Sequence, residues 1–177
     1  SYNQARDGTN LANGFSKYIL TDLLRDKYGY DGVICTDWAI TGDEGATPGD
    51  FAGKPWGVED KSVAGRHYIA LMAGIDQFGG NNEMEPVIKA YNMGVKEHGR
   101  KYMRNRFEQS ATRLLKNIFR LGLFENPYLN PVESAEIVGN PDFMQEGYDA
   151  QLKSVVMLKN KNNVLPVRER KTVYIPE

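Results

Sequence analysis

The chain has 177 residues, 41% of them hydrophobic and 25% charged, which suits one ordinary domain core and excludes a disordered tail. Its formal net charge of −1 provides no overall field to attract nucleic acid or an anionic membrane surface. The single cysteine, Cys35, excludes an intrachain disulfide, and no apolar run approaches the roughly 20 residues that span a bilayer.

Asn13 is a good N-cap, and Phe15, Tyr18, Ile19, Leu23 and Tyr28 recur mostly at three- and four-residue steps, which predicts a helix from about 14 to 27. Turn chemistry follows through Tyr28-Gly29-Tyr30-Asp31-Gly32. Val33-Ile34-Cys35-Thr36 then reads as a short strand buried on both faces, as in a parallel sheet. From Ala39 to Asp60 periodicity vanishes, leaving a loop of about 20 residues, a length often associated with function. A helix resumes near Lys61 and stops at Gly74. Ile75 to Phe78 reads as a brief strand, and Gly79-Gly80-Asn81-Asn82 as a turn. Helix and strand alternate, the rhythm of a parallel α/β fold. Between Gly99 and Gly122, Met103, Phe107, Ala111, Leu114, Leu115, Ile118 and Leu121 mark a long helix that ends on glycine. Glu125 to about residue 144 reads as a polar linker. A helix from Gln145 to about Leu158 and a strand from Lys171 to Ile175 come next. A lone strand has no sheet to join, so the sequence is expected to continue beyond Glu177, and Ser1-Tyr2-Asn3 likewise reads as the middle of something.

In parallel α/β units ligands collect at the carboxyl ends of strands, where loops converge on a crevice. Asp37 follows such a strand and Trp38 follows Asp37, setting a carboxylate that can act as a nucleophile beside a flat apolar wall. The residues alone leave a second account open: Asp37 capping the next helix, with Trp38 filling the edge of the fold.

Thr21-Asp22-Leu23-Leu24-Arg25 and Tyr28-Gly29-Tyr30-Asp31-Gly32-Val33-Ile34, leading into Thr36-Asp37-Trp38, resemble the catalytic region of the family 3 glycoside hydrolases in order and spacing. Ala73-Gly74-Ile75-Asp76, then Leu121 to Tyr128, then Ser154 to Asn160 with Leu165-Pro166, extend that resemblance over nearly the whole chain. The resemblance implies an α/β protein in which residues 1–124 are the C-terminal part of a (β/α)₈ barrel. Residues 125–144 would be an interdomain linker, and 145–177 the first helix and strand of an α/β sandwich. It implies a retaining exo-acting β-glucosidase or β-xylosidase, with Asp37 as nucleophile at the end of the seventh barrel strand, Trp38 lining the sugar site and Tyr2 beside the nucleophile. Tryptophan after the aspartate is less like the N-acetylhexosaminidase branch, which more often has Asp-Asp-Leu there. The substrate would be a β-linked oligosaccharide or glycoside. Upstream sugar-binding residues and the general acid/base are expected from the rest of the same polypeptide, leaving these 177 residues inactive alone. The competing expectation is a carbohydrate-binding or scaffold piece without catalysis. Export to the periplasm or medium is an expectation of the resemblance only.

Asp43, Glu44, Glu59 and Asp60 lie in the polar loop, where nothing points to the raised pKa that an acid catalyst needs. Arg100, Lys101, Arg104, Arg106, Arg113, Lys116 and Arg120 share one helix without interleaved aromatics, the pattern of a solvated face rather than a nucleic-acid surface. Gly79 to Asn82 is not followed by the Lys-Ser/Thr of a phosphate loop. His67 and His98 lack ligand-spaced neighbours, so neither metal nor cofactor is expected. Met72, Met84, Met93 and Met103 are read as core fillers.

Overall fold

The computed structural model describes residues 10–43 and 53–175. The chain divides into two units after Pro127. In the first, Asn13–Phe15 is a 3₁₀ turn and Tyr18–Lys27 winds as a π-helix, where the periodicity predicts one α-helix. The wider coil is held from outside. Thr21 Oγ1 donates to the Ala73 carbonyl at 2.8 Å, and Arg25 Nη2 donates to the Gly74 carbonyl at 3.2 Å. Two positions four residues apart thus both engage the end of the next helix, the kind of side-chain anchoring that accompanies π segments.

That next helix, α1 (Val63–Ala73), starts on Ser62, whose hydroxyl accepts the Gly65 N–H at 3.2 Å. It ends where the sequence predicts, on Gly74 at φ +119°, a left-handed conformation that a side chain would oppose. Ala70 and Ala73 of α1 join Ala12, Phe15, Leu20, Ile40, Val58 and Ile75 in one apolar core. Helices α2 (Met84–His98) and α3 (Arg100–Arg120) follow. They close against each other where Gly94, lacking a side chain, admits the fully buried Met103. Met103 fits its expected place in the core, whereas Met84 and Met93 are 72% and 39% exposed, on the outer side of α2, and fill no core.

The two segments expected as strands lie side by side and parallel. The N–H groups of Asp76 and Gln77 donate to the Ile34 carbonyl at 2.9 and 3.2 Å, and the Thr36 N–H donates to the Gln77 carbonyl at 2.9 Å. The pairing amounts to one parallel bridge, Cys35 with Gln77. Among the described residues no longer strand forms.

The second unit holds α4 (Pro131–Ile137) and α5 (Pro141–Ser154). Asn130 Oδ1 accepts the Val132 N–H and Asn140 Oδ1 the Asp142 N–H, both at 2.9 Å, and each helix has proline in its first turn. The polar stretch read as a linker from residue 125 to about 144 therefore contains one helix and the start of another. Residues 171–175 show no pairing, because a strand exists only with a neighbour to bond. No helix among the described residues is long and apolar enough to cross a membrane.

Candidate functional site

The segment leading to Asp37 is anchored from behind by Asp76, whose side chain is completely buried. Asp76 Oδ2 accepts from Arg25 Nη2 at 2.6 Å and from the Ile34 N–H at 3.1 Å. Its Oδ1 accepts from Ser110 Oγ at 2.6 Å and Arg113 Nη1 at 2.9 Å. Burial by itself would raise this carboxyl's pKa. The hydrogen bonds from Ser110, Ile34 and Arg113, with the Arg25 charge, outweigh it and hold the group below the ordinary aspartate value. One carboxylate thus ties the π-helix, the segment before Asp37 and α3 together.

Past that anchor the backbone emerges at the surface. Thr36 is buried, while Asp37 and Trp38 are exposed, Trp38 to 55%. Asp37 Oδ1 accepts the Trp38 N–H at 2.8 Å, and residues 38–41 form turns, not a helix. The helix-capping alternative for Asp37 is therefore not what the structure shows. Ala39 takes φ +52°, and its N–H donates to the Gly79 carbonyl at 2.9 Å. The Gly79 N–H returns a bond to Thr36 Oγ1 at 2.8 Å. Ile40 and Thr41, at 1% and 2% exposure, root the turn in the core.

Two residues of α1 steady the surroundings. His67, wholly buried, donates from Nδ1 to the Val63 carbonyl at 2.8 Å, which leaves Nε2 to accept from Asn81 Nδ2 at 2.7 Å and Thr41 Oγ1 at 3.3 Å. Burial lowers the imidazole's pKa and favours this neutral form. Arg66, also buried, grips both ends of the loop after the site. It donates to the Gly42 carbonyl at 2.9 Å and Asp43 Oδ1 at 2.7 Å on one side, and to the Val58 and Glu59 carbonyls at 3.2 and 2.8 Å on the other. Neither role is visible in the sequence, where both residues read only as members of a helix.

Of the four loop acids, Asp43 is paired with Arg66. Glu59 receives the Gly57 N–H on both carboxylate oxygens at 3.0 Å, and these backbone bonds hold it below the ordinary glutamate range. Asp60 bonds Lys61 Nζ at 2.6 Å, which lowers it likewise. Groups held in the ionised form are poor proton donors. Glu44 and Tyr2 lie outside the described residues. Two polar hollows beside α3, both lined by Asp31, Gln109 and Arg113 among others, include neither Asp37 nor Trp38. Among the described residues no three His, Cys, Asp or Glu side chains converge as a metal site.

The sequence is 42% identical over 171 residues to the periplasmic β-glucosidase/β-xylosidase of Dickeya chrysanthemi, a match covering 92% of this chain and 25% of that protein. It is 38% identical over 163 residues to β-glucosidase C of Emericella nidulans, covering 90% and 25%. With the periplasmic β-glucosidase of Salmonella typhimurium it shares 29% identity over 164 residues, covering 89% and 19%. No family model matches. The chain spans a quarter or less of the length of these relatives.

Proposed function

We propose, from a chain that belongs with these β-glucosidases and β-xylosidases in family 3 of the glycoside hydrolases, that the whole protein removes terminal β-linked glucose or xylose with retention at the anomeric carbon. The observation that carries this reading is the placing of Asp37 at the exposed carboxyl end of a segment paired in parallel, with the Trp38 indole next to it. In the proposed reaction an Asp37 carboxylate oxygen attacks the anomeric carbon as the glycosidic C–O bond breaks, and an acid protonates the departing oxygen. Water, deprotonated by the same group, then displaces Asp37. The bound states of Glu59 and Asp60 disfavour them as that acid, so it is assigned to the remainder of the longer polypeptide, without which these residues do not turn over substrate. Tyr2 is assigned a place beside the nucleophile. Residues 1–124 are taken as the closing part of a (β/α)₈ barrel and 145–177 as the opening of an α/β sandwich. Export to the periplasm or medium is proposed from the relatives whose names call them periplasmic.

The direct test is trapping. A 2-deoxy-2-fluoro β-glycoside with a good leaving group is expected to add one sugar mass to the peptide containing Asp37 in the full-length enzyme; a label on any other carboxylate overturns the assignment. Trp38→Ala is expected to weaken sugar binding by about 1–3 kcal/mol through lost ring contact, read as a higher KM and inhibitor constant with kcat changing less.

A further inference from the structure

Trp38 lies over a floor made of backbone. A Cβ placed on Gly80 would meet the indole Cε3 at 2.7 Å, Cδ2 at 2.8 Å and Cγ at 3.1 Å, and one on Gly79 would meet the Thr36 carbonyl at 2.5 Å. Gly80 also holds φ +66°, a conformation that side-chain-bearing residues seldom adopt. The floor is tied at both ends: to the turn by the Ala39 N–H bond to Gly79 and the Gly79 N–H bond to Thr36, and to α1 by Asn81 on the buried His67. The His67 ring in turn rests against Phe78, centroids 4.5 Å apart. An indole on an exposed turn has a broad torsion about its second side-chain bond. Here one part of the ring system is pressed on a surface that cannot recede, while 55% of the residue remains exposed.

We propose that Gly80 is a positioning residue for sugar binding: by carrying no side chain it lets the Trp38 indole settle on the 79–80 backbone at one tilt, presenting the exposed part of the ring to the sugar. This rests on the reading of Trp38 as the sugar-facing aromatic. A methyl group at 80 would occupy the space of the ring atoms, so the indole must lift or turn. Binding then loses the preorganised platform, while the attacking carboxylate keeps its own anchor at Asp76.

The test is a double-mutant cycle in the full-length enzyme, with a chromogenic β-glucoside or β-xyloside for KM and kcat and gluconolactone as the competitive inhibitor. Gly80→Ala is expected to raise KM and the inhibition constant about 10-fold with kcat within about 3-fold of wild type. In a Trp38→Ala background it is expected to change neither, because the group it displaces is gone. An unchanged inhibition constant for Gly80→Ala, or an equal increase in both backgrounds, overturns the proposal. A Trp38→Ala variant with wild-type KM and inhibition constant would instead remove the sugar-facing reading itself. Where Gly80→Ala does not fold, as judged by circular dichroism, Asn81→Ala loosens the same floor without adding atoms. Its increase in the inhibition constant is expected only while Trp38 is present, and an increase that persists without Trp38 overturns the proposal as well.

Discussion

Asp37→Ala in the full-length enzyme is expected to lower kcat by about 10⁴-fold or more, the order of loss on removing a covalent nucleophile, while thermal unfolding stays near that of wild type. The two halves have separate causes. The loss follows, in the proposed mechanism, from deleting the atom that bonds to the anomeric carbon. The retained stability follows from the location: Asp37 is exposed and accepts the adjacent Trp38 N–H, whereas the anchoring of this region runs through Asp76. Small anions supply the check. Azide added to Asp37→Ala is expected to restore turnover of an activated glycoside and to yield the glycosyl azide of inverted configuration. Near wild-type activity without any added anion would remove Asp37 from the mechanism.

Asp76→Asn is expected to have the largest effect on stability, about 3–5 kcal/mol, the range seen when one partner of a buried ion pair is removed. Arg25 and Arg113 lie within 2.9 Å of the carboxylate with side chains only 9% and 20% exposed, so the variant would leave their charges poorly compensated. The pH dependence provides a second signature. The folded pKa of Asp76 is depressed, so its contribution is complete above the unfolded value of about 3.9 and is lost as pH falls through the lower folded value. The stability gap between wild type and Asp76→Asn should therefore be steady from about pH 5 to 8 and narrow below about pH 4. Denaturant titrations of both proteins across that range measure it, and coincident midpoints at pH 7 would show that the buried network is not what holds the region.

Local pattern made some of this legible and left the rest hidden for physical reasons. The repeat from Met103 to Leu121 predicts α3 because a helix writes its period into adjacent turns. The same repeat does not tell that Met103 is sealed while Leu115 is 44% exposed, since burial depends on what packs there. Asn130-Pro131 and Asn140-Pro141 read as breakers in a polar linker, but the structure uses both pairs as an N-cap followed by a first-turn proline. The β-branched run Val33 to Thr36 points to a strand-like segment ahead of Asp37 and Trp38, and that segment does pair in parallel, with both residues exposed at its end. The floor under Trp38 could not be read this way, because two glycines before two asparagines look like any turn until the indole above them is seen. Arg66, His67 and Asp76 were equally silent, as their partners come from distant parts of the chain.

The Asp76 network also imposes an order in time. Arg25 and Ile34 precede Asp76 on the ribosome, while Ser110 and Arg113 follow it by 34 and 37 residues. At roughly 5–20 residues per second, the carboxylate is synthesised about 2–7 seconds before its last guanidinium. A nascent chain ending before α3 would carry Asp37 on a segment whose anchor lacks two of its four closest donors. The anchor behind Asp37 is therefore completed only once a helix far downstream has been translated.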